Sequence, residues 1–165
     1  GIIGPPAYEA GTTRLYLSGA RATEVADLFK TGPLEAIEMG KSQTSASALK
    51  ICYAAWTKGS AALLLAVGAL AQAENVADAL HSEWAQSLPD LSARLENVAK
   101  GNAPKAWRFE NEMHEIADTF EANELPSAFH RAAAVTYALL SEYKGAEPPP
   151  SLDEVLRTML GDTDI

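Results

Sequence analysis

Hydrophobic and polar positions alternate in two different rhythms along the chain, and the change falls near residue 42. In the first forty residues the apolar runs are short and bounded by glycine or proline: "GIIG", "TRLYLSG" and "LEAIEMG". "RLYLS" alternates with a period of two between turn residues, which predicts a strand. "TEVADLFK" spaces Val25, Leu28 and Phe29 for one helix face, with Thr23 as the expected cap. The predicted order is strand, strand, helix, strand. That is a piece of an α/β layer too small to bury both its faces.

From Thr44 onward the period is helical. About 30 residues run without proline or turn signal, interrupted only by Gly59 and Gly68, and Asn75 is the expected stop. "VADALHSEWAQSL", "PDLSARLENVAK", "APKAWRFENEMHEIADTFEAN" and "LPSAFHRAAAVTYALLSEYKG" follow as helices. "EPPP" is a stiff spacer, and Ser151 with Glu154 has capping-box spacing at the head of the last helix. The reading is a short α/β segment over 1–41 and an all-helical domain over 42–165.

Within the long helix, "SASALKICYAAWTKG" places a lysine, Lys50, near the N-terminus. Steps of three and four from it collect Ala46, Ser47, Ala54, Thr57, Lys58 and Ala61, a lane of small and polar residues. The other side collects Leu49, Cys52, Tyr53, Trp56, Leu63, Val67 and Leu70, the expected core face. On this reading Trp56, Trp84 and Trp107 are packing anchors and Cys52 is a core residue. The field of the helix N-terminus and partial burial would together favour a neutral amine at Lys50, useful for acid–base work. A snorkelling lysine is the plainer alternative.

Charge narrows the choice of partners. With 13 basic and 22 acidic residues the net charge is −9, which repels phosphate backbones and anionic lipid, so neither nucleic acid nor a membrane is an expected partner. The single cysteine, Cys52, excludes an internal disulfide and fits a cytoplasmic setting. The most apolar window, 60–73, is shorter than a bilayer span, and no secretion signal opens the chain. His81, His114 and His130 fall on three separate helices, and "ENEMHE" lacks metal-ligand spacing, so no metal is expected. His130 reads as a packed histidine, with a substrate contact as the alternative.

The stretch around Lys50 and the long helix after it resemble the start of the C-terminal domain of the β-hydroxyacid dehydrogenase superfamily. Its members include 3-hydroxyisobutyrate and 6-phosphogluconate dehydrogenases. "GIIGPPA", "GTTRLYLSG", "EMHEIADTF" and "LPSAFHRAAA" are similar to the 6-phosphogluconate dehydrogenase-like subgroup of unassigned substrate. The resemblance implies a mainly α fold: an all-helical 6-phosphogluconate dehydrogenase C-terminal-like domain after a short remnant of a Rossmann domain. It implies NAD or NADP as the full-length family's cofactor, a small hydroxy-acid substrate, a homodimer, and Lys50 as catalytic acid–base group. The implied substrate loop falls at Ile3, Gly4 and Pro5, with Ser47, Tyr53, Ala54 and Lys58 lining the helix side. Two departures stand out. The family's asparagine four residues after the lysine is Ala54 here, and a later lysine–aspartate pair is replaced near Glu112 and Met113. Lys58, Arg108 and Arg131 are the remaining cations for a carboxylate.

No G-x-G-x-x-G follows a strand and opens a helix, so no cofactor is expected to bind this chain alone. The chain opens at Gly1 directly on "GIIGPP". The expectation is therefore a truncated protein, a processed fragment or one chain of a pair, inactive by itself. Two functions fit: the substrate-binding part of an NAD(P)-dependent dehydrogenase, or a non-catalytic helical dimerisation module.

Overall fold

Residues 1–161 are described by the structure, a computed structural model. The chain divides into two compact units, Gly1–Ala54 and Ala55–Ile165. In the first unit, strand β1 (Ile2–Ile3) pairs antiparallel with β2 (Arg14–Leu17), Ile2 opposite Leu15 and Ile3 opposite Arg14. Helix α1 (Ala22–Asp27) then crosses to β3 (Glu35–Glu38), which runs parallel to β2. The predicted order of elements is the observed one. Thr23 is not the cap of α1, however. It lies inside the helix and donates from Oγ1 to Glu38 Oε2 at 2.7 Å, tying the helix to β3.

Helix α2 (Ser45–Ala73) runs unbroken through both glycines and stops where Asn75 turns left-handed, at φ 57°. In the second unit it is followed by α3 (Ala77–Ser87), α4 (Leu91–Asn102), α5 (Ala106–Ala122), α6 (Ala128–Ala138) and α7 (Leu152–Leu160). Helix α6 ends before the expected Gly145; a separate 3-10 turn, Ser141–Tyr143, covers part of the difference. The capping box at Ser151 and Glu154 forms, with Glu154 N donating to Ser151 Oγ and Ser151 N to the Glu154 carboxylate.

The core of the second unit is built around Leu65, Leu95, Met113, Tyr137, Leu140 and Val155, all removed from water. Alanine fills most of the space between them: Ala99, Ala103, Ala106, Ala117 and Ala134 are each fully buried. At Gly59 and Gly68 side chains of the second unit come close to the backbone of α2. A Cβ at Gly68 would lie 3.1 Å from Leu95 Cδ2 and 3.3 Å from Leu156 Cδ2.

This close approach reverses the expected faces of α2. Its small-residue side, with Ala55, Gly59, Ala62, Leu65 and Ala69, faces inward, while Trp56, Leu63 and Leu70 are exposed. Small side chains let neighbouring side chains sit down on the helix backbone, and the dispersion attraction at that short range decides the packing. Of the three tryptophans only Trp84 is a buried anchor, and Cys52 is exposed rather than core. By length and composition α2 is long and apolar enough to cross a bilayer, because small residues before position 60 extend the apolar window; half of that window is buried in this fold.

Candidate functional site

The first unit brings the "GIIGPP" segment and Lys50 together. Tyr16 and Gly1 exchange hydrogen bonds: Tyr16 N donates to Gly1 O at 2.7 Å, and the Gly1 amine donates to Tyr16 O at 2.8 Å. β1 is thereby extended back to the first residue. Gly1 then lies against the first turns of α2, where an added Cβ would sit 2.7 Å from Ala46 O and 3.4 Å from Lys50 Cβ. Only a residue without a side chain fits there.

Two residues that the sequence pattern did not single out hold this arrangement. Thr13, 2% exposed, donates from Oγ1 to Pro5 O and so pins the turn after β1. Gly4 packs against the same residue with φ +132°; a Cβ on it would meet Thr12 O at 2.5 Å. Ser18, at the end of β2, accepts from Ala46 N at 3.2 Å and donates to Gln43 O at 3.4 Å. One of the unsatisfied amides at the head of α2 is capped by Ser18, just past the end of β2 and 28 positions earlier, not by the serines just before the helix. A threonine and a serine flanking a strand were the available signals, but hydrogen bonds over 8 and 28 residues have no local period to reveal them.

Lys50 is exposed, so the burial expected of it is not found. Among the described residues it has no hydrogen-bond or ion-pair partner. Ser47 and Tyr53 are also exposed, Ala54 is half-buried, Ile3 is buried and Gly4 and Pro5 are open to solvent. The first unit thus presents an unpaired ammonium group, a serine hydroxyl and a tyrosine ring on the first turns of one helix. An amine there can hold or accept a proton at a substrate oxygen and attract a carboxylate.

Lys58 belongs to the second unit. Its ammonium group pairs with Glu112 and lies 4.7 Å from the centre of the Phe109 ring. Arg131 is committed as well, to Asp118 at 3.0 Å and Glu121 at 2.5 Å. Arg108 lies over the Phe109 ring at 5.4 Å, and Met113 is fully buried. His130 is a packed histidine, 5% exposed, with its ring 4.4 Å from Phe120 and 5.3 Å from Phe129. Its Nδ1 has no hydrogen-bond partner, and burial holds its pKa below the usual histidine value. No cluster of three metal-ligating side chains occurs among the described residues.

Among the described residues, the turn between β2 and α1 does not fit a dinucleotide. The β2–α1 turn carries one glycine, Gly19, and leads into a helix of six residues, without the three-glycine approach that a pyrophosphate needs.

Residues 71–140, from the end of α2 through α6, match a family described as a domain of unknown function, DUF1932. Two solved structures share the fold of the chain. A conserved hypothetical protein from Sinorhizobium meliloti 1021 superposes with a TM-score of 0.74 at 23% identity, over 96% of this chain and 54% of that one. The conserved protein MTH1747, of unknown function and described as structurally similar to 3-hydroxyacid dehydrogenases, superposes with a TM-score of 0.69 at 22% identity. That match covers 86% of this chain and 55% of MTH1747. The chain spans about half the length of both. No curated protein matches the sequence. The chain therefore shares the fold of these two structures. The DUF1932 match leaves Lys50, Ser47, Tyr53, Ala54 and Lys58 outside it, on the part of α2 that precedes residue 71.

Proposed function

We propose that this chain forms the substrate-binding part of an NAD(P)-dependent oxidoreductase acting on a small β-hydroxy acid, with Lys50 as the acid–base group. The observation that carries this reading is the exposed, unpaired Lys50 set directly against the "GIIGPP" segment by the close packing of Gly1 on Ala46 and Lys50. Catalytic acid–base groups need a substrate atom within hydrogen-bond reach, and the open side of Lys50 leaves room for one. In the oxidative direction Lys50 takes the proton from the substrate hydroxyl oxygen; in the reverse direction it returns one to the carbonyl oxygen. Ser47, one turn earlier on the helix, supplies a hydroxyl for the substrate's polar end. The dinucleotide would be held by residues outside these 165, in keeping with the share of the related structures that the chain spans.

The test is a screen of small 2- and 3-hydroxy acids with NAD and NADP, using the polypeptide at its native length in its own cell. Lys50→Met should lower kcat by about 10²–10⁴-fold, the usual worth of a positioned acid–base group, with the fold unchanged by circular dichroism. An active enzyme whose kcat and pH profile are indifferent to Lys50→Met would refute the assignment.

A further inference from the structure

Ser60, Leu63, Leu64 and Val67 follow one another on α2 at steps of three and four, so they share one stripe of that helix. Leu91 and Arg94 stand three apart on α4 and share a face in the same way. With Trp84 of α3 these side chains line an open groove of about 290 Å³, wholly inside the second unit. The two ends of the groove differ. At the Ser60 end Arg94 Nη2 donates to Ser60 Oγ at 2.6 Å, which holds the guanidinium at the rim. Toward Val67 the lining is aliphatic and aromatic. His81 braces the Trp84 wall: its ring lies 5.4 Å from the Trp84 ring, edge-on, and its Nδ1 shares a 2.9 Å hydrogen bond with Ser92 Oγ on α4.

We propose that this groove binds an aliphatic monocarboxylate, with the chain lying along α2 and the carboxylate on Arg94. Charge selects the headgroup. The sequence holds 22 acidic residues against 13 basic ones, yet among the described residues no acidic side chain lines the groove and Arg94 is its one charged lining residue. Among those residues Arg94 has no carboxylate partner either. Its bond to Ser60 uses one N–H and leaves the rest of the guanidinium fork for the paired oxygens of a carboxylate. Apolar walls on one side make such a charge-assisted contact stronger than it is in open water. Size selects the tail. The volume is about twice the ~150 Å³ that takes up benzene in an apolar cavity. From Ser60 to Val67 the helix rises about 10 Å, the reach of an extended chain of about eight carbons. Leu63, 51% exposed, leaves the mouth open, so a ligand enters without parting the helices. The site stands in the second unit, and binding there does not depend on any chemistry at Lys50.

Calorimetric titration of the polypeptide at its native length with sodium octanoate tests it, with octanol and propionate as comparison ligands. Octanoate should bind once per chain with a Kd of about 10–300 µM, the range open to a ligand of this size. Octanol, which lacks the charge, and propionate, which lacks the tail, should each bind about tenfold more weakly or worse. Arg94→Gln, at an exposed position, should bring octanoate down to the level of octanol and leave octanol unchanged, and Arg94→Lys should restore part of the preference. Val67→Phe, from a half-buried position at the apolar end, should fill the groove and abolish octanoate binding with helix content unchanged. If that variant fails to fold, an octanoate analogue with a diazirine at its tail decides the matter. Its photolabel should fall on the peptides that carry Leu63 to Val67, Trp84 or Leu91, and excess octanoate should suppress it. The proposal is overturned by no saturable binding up to about 5 mM, far above the expected Kd, or by octanoate affinity indifferent to Arg94→Gln. Photolabel confined to other segments overturns it too, as does a groove closed by a second copy, seen as octanoate binding that vanishes while sedimentation shows a dimer forming.

Discussion

Removing a single oxygen atom from the second unit gives a measure of how tightly α2 is held. Tyr137 is fully buried, with its ring edge-on to Phe109 at 5.3 Å, and its hydroxyl donates to Lys58 O at 2.8 Å. Asn102 Nδ2 donates to the same hydroxyl at a longer 3.4 Å. Tyr137→Phe keeps the ring and deletes both bonds. The Lys58 carbonyl lies within α2 and keeps its helical acceptor role, and Asn102 is only partly buried, so neither partner is left stranded at full cost. The loss is therefore about one ordinary hydrogen bond plus a fraction of a weak one, about 1–1.5 kcal/mol. Equilibrium urea unfolding followed by circular dichroism should show it as a lower midpoint with an unchanged slope. Burial also raises the pKa of this phenol above its ordinary value. A raised pKa means that the contribution is fully present below pH ~10 and declines as pH rises beyond it, so the parent should lose stability in strong alkali faster than the phenylalanine variant. A change of less than about 0.3 kcal/mol at neutral pH would show that the hydroxyl does not fasten α6 to α2.

Two further outcomes concern His130 and Gly4. His130 is neutral and buried among Phe120, Phe129 and Gly59, with its pKa depressed by burial, so its contribution is complete above pH ~6.5 and is lost as pH falls through the depressed value; urea midpoints of the parent should fall across that window, and those of His130→Phe should fall less. Gly4→Ala adds a Cβ 2.5 Å from Thr12 O at a φ of +132°, which should cost the first unit about 2 kcal/mol or more and reduce hydrogen-exchange protection in β1 and β2, while the second unit's protection stays unchanged.

The order of elements was legible because periods of two and of 3.6 are local properties of a sequence, and β1 through α7 fall where those periods place them. The orientation of α2 was not. Its two sides differ mainly in size, and size ranked Trp56, Leu63 and Leu70 as core, whereas the structure packs Ala55, Gly59, Ala62 and Ala69 inward. Gly59 and Gly68 were the informative residues: glycines that leave a helix unbroken mark where something else must come close. At the candidate site, the residues alone gave a lysine near a helix start, and its pairing with "GIIGPP" came from the family resemblance. The hydrogen bonds from Thr13 and Ser18 that shape the site join residues distant in sequence, and no spacing rule reports such bonds.

The alanine-rich interior also sets the direction in which this sequence can drift. At Ala99, Ala103, Ala106, Ala117 and Ala134 nearly every replacement adds volume, since only glycine is smaller. Cores built on leucine fail most often by losing atoms and opening holes, with costs that follow the cavity. Here the usual failure is the opposite, extra methyl groups forcing helices apart, at about 1–3 kcal/mol each. Valine and threonine, both one nucleotide change from alanine and close to it in size, are then among the harmful substitutions at these positions. A saturation library scored for folding would show a one-sided profile there, tolerant of glycine or serine and steeply intolerant of anything branched.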